Sequence, residues 1–271
     1  MDLQIALQNE VTCPCCKGTT TKLFHLFLAD SRRLIYCRNC CIAFRYPRPT
    51  GKELLAIYTN AYSRQNIVAG TTRMAGTDEK LAEAYVRRLT HELNSSLTGK
   101  LIIDFGAGLG TVCKALIAVK SRPVAVDPFT YEYLRAEGIE AYVDLAEVPH
   151  QRVDGVIMID VLEHLELPAQ EIEKARKLLR PGGWIYISTC NLNCLRRFVV
   201  PRSWRDVHKA EHLVFFTFKG LRKILQTTGY DNVQRLRWRI AYHRGLRRIA
   251  HTAIQALGLD AELRVLAFRR G

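Results

Sequence analysis

The chain has 271 residues, 48% of them hydrophobic, with 40 Lys+Arg against 26 Asp+Glu and a formal net charge of +14. That length allows one large domain or two modest ones with a substantial core, and no apolar run reaches the length of a membrane span. Met1-Asp2-Leu3-Gln4 lacks the charged and apolar regions of a signal peptide. The expectation is a cytoplasmic protein whose nine cysteines serve metal, chemistry or burial rather than disulfides. The cationic excess is concentrated from Arg196 onward. It favours an anionic partner such as nucleic acid, a phosphorylated metabolite or a membrane surface, with a plain solvated surface as the alternative.

In chain order, the first feature is a pair of C-x-x-C knuckles, Cys13-Pro14-Cys15-Cys16 and Cys37-Arg38-Asn39-Cys40. Their separation fits a tetrahedral zinc site with Cys13, Cys16, Cys37 and Cys40 as ligands. Short strands are expected over Thr20 to Leu28 and Arg32 to Tyr36, with a turn at Ala29-Asp30-Ser31, which together make a zinc ribbon over residues 1–48. So small a module buries too little apolar surface to fold alone, so the metal supplies folding energy. Four thiolates close the zinc shell, which points to a structural role. Cys15 and Cys41 are spare.

Residues 49–98 read as a helical linker or lid. Tyr46-Pro47-Arg48-Pro49-Thr50 leaves the ribbon extended, and Thr50 with Glu53 forms a capping box for a helix bearing Leu54, Leu55 and Ile57. Asn60 to Gly76 is polar and small. Asp78 to Leu93 repeats apolar residues at helical spacing.

From Lys100 strands and helices alternate, with strands expected at 101–105, 123–127, 139–143, 153–159 and 184–189. Helices are expected at 109–119, 130–137, 168–179 and 217–228. The apolar runs suggest strands buried on both faces, hence a parallel sheet, whose ligand lies at the carboxyl ends of the strands. The residues after each strand are therefore the candidate site. After the first comes Asp104-Phe105-Gly106-Ala107-Gly108-Leu109-Gly110, a turn that lets a ligand approach the main chain. An acid before the first glycine would repel a pyrophosphate and suits a ligand with a cationic end. After the second strand, Asp127 is placed to take the hydroxyls of a ribose. After the third, Asp144 could meet an adenine amine while Leu145 packs on the ring. After the fourth comes Asp160-Val161-Leu162-Glu163-His164.

These motifs, with Leu179-Arg180-Pro181-Gly182-Gly183, resemble the class I S-adenosylmethionine-dependent methyltransferases. The subgroup it resembles has an N-terminal zinc ribbon, a P-R-P-T segment (Pro47 to Thr50) and a late E-H-L-x-x-F-T element (Glu211 to Thr217). The resemblance covers nearly the whole chain. It implies a Rossmann-like α/β domain over 99–271 with a mostly parallel seven-stranded sheet, preceded by the ribbon, and an acceptor-binding insertion near 190–216. It further implies that Asp104, Gly106, Ala107, Gly108 and Gly110 hold the amino-acid end of S-adenosylmethionine, Asp127 its ribose, and Asp144 and Leu145 its adenine, with Asp160 and Val161 beside them. The subgroup has glycine after each knuckle where this chain has Lys17 and Cys41.

Methyl transfer from a sulfonium is an in-line displacement in which positioning supplies much of the catalysis. A hydroxyl or carbon acceptor also needs a general base, and histidine is the natural one. His212 with Glu211 as partner is the expected base, and His208 an alternative. A tie between the insertion and the helix near Thr217 is the competing role for His212. Asp160, Glu163 and His164 are similar to the E-x-x-E-H group of ubiquinone-pathway O-methyltransferases and are a candidate divalent-ion site, against a purely bracing role. At the basic end, strands are expected at Asp231 to Arg239 and Ala261 to Arg269. Between them an amphipathic helix is expected over 241–257, able to touch a membrane surface, a partner or its own domain. The expected function is methyl transfer from S-adenosylmethionine to a small polar or anionic molecule: a sugar, lipid precursor or secondary metabolite. An RNA methyltransferase is the alternative, and a non-catalytic S-adenosylmethionine-binding protein a third.

Overall fold

The structure, a computed structural model, describes residues 11–19, 21–25, 32–61, 79–237 and 252–271. The expected turn at 29–31, most of the polar segment at 60–76, the end of the strand at 238–239 and most of the helix at 241–257 lie outside them, although 252–256 are helical. Among the described residues no helix is long and apolar enough to cross a membrane.

The main sheet is built from β4 (Leu101–Phe105), β5 (Arg122–Val126), β6 (Ala141–Tyr142), β7 (Val153–Ile159), β8 (Leu179–Cys190), β10 (Tyr230–Leu236) and β11 (Glu262–Arg269). Its seven strands run β10-β11-β8-β7-β4-β5-β6. The pairs from β8 to β6 are parallel, and β11 joins both β8 and β10 antiparallel. This is the Rossmann-like methyltransferase fold, closed by the antiparallel pair of the two late strands β10 and β11. The chain winds outward from β4 through β5 to β6, then returns to β7 on the other side of β4. That reversal opens a crevice at the carboxyl ends of β4 and β7, where doubly wound sheets bind ligands. Ile102, Ile103, Val124, Ala125, Val156 and Met158 are buried, as expected for strands covered on both faces.

Most boundaries differ from the sequence expectation by a residue or two, and two strands of the parallel sheet differ by more. The third strand shrinks to Ala141–Tyr142 because the Asp144 carboxylate accepts the Ala146 N–H (2.8 Å) and starts a short 3-10 turn instead. The fifth strand lengthens to begin at Leu179, which pairs with Val153, and the Pro181-Gly182-Gly183 turn becomes a bulge inside it.

Before the sheet come α1 (Gly51–Ala61) and α2 (Glu79–Leu93), the first capped as expected. The Thr50 N–H donates to Glu53 Oε2 (2.6 Å), and the Glu53 N–H donates to Thr50 Oγ1 (3.3 Å). Around the main sheet lie α3 (Thr111–Ala118), α4 (Tyr131–Ala136) and α5 (Pro168–Leu178). The segment after β8 holds α6 (Leu195–Val199) and α7 (Arg205–His208) and leads through β9 (Val214–Phe216) to α8 (Phe218–Thr227).

The cysteine module is a second sheet, β1-β2-β3-β9, from β1 (Thr21–His25), β2 (Arg33–Cys37), β3 (Ile42–Tyr46) and β9. Its fourth strand comes from the insertion: Ile42 faces Phe216, Ala43 faces Phe215 and Phe44 faces Val214. The insertion therefore shares a core with the ribbon. Leu34 and Ala43 pack with Leu192, Trp204, Val207 and Phe215. The second knuckle sits on α8. A Cβ at Gly220 would lie 2.5 Å from the Cys40 carbonyl oxygen, so only glycine permits that approach. Thr217 Oγ1 donates to the Cys41 carbonyl (2.7 Å), and Lys223 Nζ to the Asn39 carbonyl (2.8 Å).

The sulfurs of Cys13, Cys16, Cys37 and Cys40 lie within 4.8 Å of one another. That arrangement suits a tetrahedral zinc ribbon. The Cys40 N–H donates to Cys37 Sγ (3.3 Å). Lys17 and Cys41, the residues standing where glycine was expected, adopt φ of 58° and 57°. The left-handed turns are thus kept, at some strain for a side chain.

Candidate cofactor and acceptor site

The glycine loop closes the carboxyl end of β4. Gly106, Gly108 and Gly110 all have positive φ (77°, 52° and 75°). A Cβ at Gly106 would lie 2.2 Å from Val161 Cγ2, so the loop and the segment after β7 touch directly across the sheet reversal. The loop is pinned from the side by residues after β5. The Gly108 N–H donates to Asp127 Oδ2 (3.0 Å), and Thr130 Oγ1 donates to the Gly108 carbonyl (2.6 Å). The other Asp127 oxygen accepts the Phe129 and Thr130 N–H groups (2.9 and 3.1 Å). Burial raises the pKa of Asp127, and these backbone donors oppose the rise.

Asp104 is 3% exposed at the base of the loop. Its partner among the described residues is the Cys113 thiol, which donates at 3.3 Å. Burial pushes its carboxyl up to about 7, against the pull of the thiol and helped by the Asp127 charge. A buried acid without a cation suits a ligand that brings one. Asp127 sits at the second strand end, on the other side of the cradle. Asp144 is occupied otherwise: it caps the 145–147 turn and lies 3.3 Å from Lys174 Nζ, while Leu145 is 1% exposed.

Opposite the loop, Asp160 ends β7 at a left-handed φ of 53°, with its N–H donated to the Ser188 carbonyl (2.9 Å). It is solvent-accessible, while Glu163 turns inward to 2% exposure and accepts Thr189 Oγ1–H (2.7 Å). Asp160, Glu163 and His164 do not converge. Besides the four cysteine sulfurs, the donor atoms that gather within 4.8 Å among the described residues are those of Glu163, Cys190 and His212.

The expected bases part company. His208 is exposed, with Nε2 2.9 Å from the Arg202 carbonyl of its own segment. Glu211 reaches His164 through its carbonyl (3.2 Å from Nδ1) rather than through its carboxylate. His212 is 3% exposed, and burial first, then His164, drives its pKa far down. Its ring meets that of His164 edge-on, with centroids 4.8 Å apart. His164 itself is half-buried, its pKa pushed down to about 4 by burial, and its Nδ1 lies 3.0 Å from the Tyr58 hydroxyl. Tyr58 stacks on Phe129 at 4.9 Å, so α1, the β5 end and the β7 end meet over the crevice.

The sequence reading omitted Tyr58, Phe129 and Arg45. Arg45, an arginine inside the apolar strand Ile42–Tyr46, is the one with a legible signal. It is 1% exposed and donates to the carbonyls of His212 (3.2 Å), Val207 (2.9 Å) and Lys209 (2.9 Å).

A family model described as a methyltransferase domain matches residues 77–235. The chain belongs to the methyltransferase-domain family. Among curated relatives is the ubiquinone biosynthesis O-methyltransferase of Paraburkholderia xenovorans (strain LB400). It is 30% identical over 125 residues, 38% of this chain and 54% of that protein. The chain thus spans about half the length of the curated relatives it matches. Solved structures of similar fold include a SAM-dependent methyltransferase from Archaeoglobus fulgidus. Its TM-score is 0.54 at 16% identity, covering 71% of this chain and 95% of that one. Another is the 1,6-didemethyltoxoflavin-N1-methyltransferase of Burkholderia thailandensis with bound 1,6-didemethyltoxoflavin and S-adenosylhomocysteine. Its TM-score is 0.53 at 15% identity, covering 92% and 100%. At these identities the likeness establishes the fold of this methyltransferase family member and nothing finer.

Proposed function

We propose that this chain is an S-adenosylmethionine-dependent methyltransferase acting on a hydroxyl or carbon of a small polar molecule. The observation that carries the reading is the glycine cradle between the buried acids Asp104 and Asp127, facing Val161 across the β4–β7 crevice. Gly106, Ala107, Gly108 and Gly110 would admit the amino-acid end of the cofactor, Asp104 would meet its ammonium, and Asp127 its ribose. Leu145 would back the adenine, with Asp144 as cap of that wall, and Asp160 and Val161 would close the other side. When bound, the cofactor supplies a methyl on a sulfonium. Cys13, Cys16, Cys37 and Cys40 would hold a structural zinc.

The acceptor side is walled by Tyr58, Phe129 and His164. His164 Nδ1 is held between the Glu211 carbonyl, which can only accept, and the Tyr58 hydroxyl, so a proton on Nδ1 shared between them would leave Nε2 with the lone pair. His164 is therefore the better-placed base, neutral near pH 7, with Tyr58 orienting it and His212 behind it. The relatives' name supports a hydroxyl acceptor and the toxoflavin enzyme's title a small molecule.

Calorimetric titration with S-adenosylmethionine tests the reading. Binding by the wild type and at least tenfold weaker binding by Asp104→Ala is expected. Absence of binding, or equal binding by the variant, would overturn it. Labelled cofactor with small-molecule extracts, read by mass spectrometry, then names the acceptor.

A further inference from the structure

Glu163, Cys190 and His212 come from three separate places: the turn after β7, the last residue of β8, and the approach to β9. Their exposures are 2%, 6% and 3%, yet each offers a metal-binding atom within 4.8 Å of the other two. A carboxylate, a thiol and an imidazole make a mixed donor set. The thiol selects a zinc-class ion over magnesium or calcium, which take oxygen ligands. Zinc bonds of about 2.0–2.3 Å set neighbouring donors roughly 3.5 Å apart, so the cluster needs only a small contraction.

Two further observations point to a cation. His212 Nδ1 is fully buried and makes no hydrogen bond. A buried polar atom without a partner is costly and uncommon. Glu163 is a buried carboxylate whose partner is the Thr189 hydroxyl, and among the described residues no lysine or arginine pairs with it. A buried acid ordinarily has a compensating charge. The Thr189 bond occupies one oxygen and orients the other, as outer partners do for metal-binding carboxylates.

We propose that Glu163, Cys190 and His212 form a second metal site, for a zinc-class divalent ion, separate from the four-cysteine ribbon. It differs from the Asp160/Glu163/His164 grouping in two of its three donors and in its use of sulfur. The ion ties the return of the insertion to the ends of β7 and β8, beneath the wall formed by His164. Binding converts the Cys190 thiol to thiolate and releases its proton to solvent. The site does not depend on the methyltransferase reading.

Metal content of the purified full chain tests it directly, by elemental analysis and by the absorption of the cobalt-substituted protein. The wild type should carry about two zinc ions, and Cys190→Ser, His212→Gln and Glu163→Gln should each lose one of them. The cobalt form of Cys190→Ser should keep the intense thiolate band of the ribbon and lose the weaker single-thiolate contribution. Near-ultraviolet circular dichroism of each variant reports whether it is folded, and Glu163→Gln, which keeps size and the Thr189 contact, is the mildest. One ion or none in the wild type overturns the proposal, as does a second ion that survives all three substitutions.

Discussion

Arg45 donates its Nε–H to the carbonyl of His212 at 3.2 Å, across a sequence separation of 167 residues. One guanidinium from the ribbon thereby sets the path of the insertion, and it also donates to the Val207 and Lys209 carbonyls. Hydrogen bonds to a charged donor contribute about 1.5–3 kcal/mol each, and buried carbonyls left without donors cost further. Arg45→Met should therefore destabilise the protein by roughly 3–5 kcal/mol. Arg45→Lys should recover only part, because a point ammonium cannot reproduce the fork. Urea unfolding measures both. A loss below about 1 kcal/mol for Arg45→Met would show that the insertion holds its shape unaided.

Gly106 meets Val161 at the floor of the crevice, and a Cβ there would stand 2.2 Å from Val161 Cγ2 with φ at +77°. Gly106→Ala suffers both the left-handed strain and the overlap, of order 1–2 kcal/mol for the strain alone. It should weaken S-adenosylmethionine binding by tenfold or more. Adding Val161→Ala removes the 2.2 Å clash with Cγ2 but leaves the strain and a tight 3.2 Å approach to the Cβ of residue 161, so the double variant should regain part of the binding. Calorimetry of the four proteins of the cycle checks this, and purely additive losses would mean the two residues do not press on one another.

Much of this was readable from residue order. Asp104 to Gly110, Asp127 and Asp160 to His164 follow successive strands, and a parallel sheet must gather strand ends into one crevice. The assignments that shifted concern groups whose direction depends on packing. Glu163 and His164 are neighbours in sequence, yet one turns inward to Thr189 and the other outward to Tyr58. Nothing in the segment of His212 announces that Arg45 bonds its carbonyl or that its ring is buried. The pairing of β9 with β3 joins residues 214–216 to 42–44. Three-residue strands leave too short a pattern to be seen without their partner. Cys190 stands in no sequence motif, and its neighbours Glu163 and His212 come from other elements.

Because β9 belongs to the ribbon sheet and Gly220 of α8 rests on the Cys40 carbonyl, metal removal should be felt beyond the knuckles. Chelation of the four-cysteine site should raise hydrogen exchange at Ile42–Phe44 and at Val214–Phe216 together, followed by the first turn of α8. A module that depends on its ion loses folding energy with it. Exchange read by mass spectrometry before and after chelation decides the matter. Protection lost in 33–46 but kept in 214–220 would separate the ribbon from the rest of the protein.

With its buried carboxyl raised to about 7, Asp104 should make the proposed binding of the cofactor's ammonium a proton-linked event. The unliganded fold holds a proton that the unfolded chain, with an ordinary carboxylate near 3.9, has released. Stability from this group is therefore full below about pH 4 and is lost as pH rises through about 7. An ammonium needs the ionised form, so affinity should run the other way, increasing about tenfold per pH unit on the acid side of 7. It should level off above 7 and decline once the ligand's own α-amino group, near 8, begins to deprotonate. Titrations in two buffers of different ionisation enthalpy at pH 6 should show close to one proton released per cofactor bound. Asp104→Asn should bind weakly with no such release. A wild-type affinity constant between pH 5.5 and 7, or a release that persists in Asp104→Asn, would place the ammonium elsewhere than over Asp104.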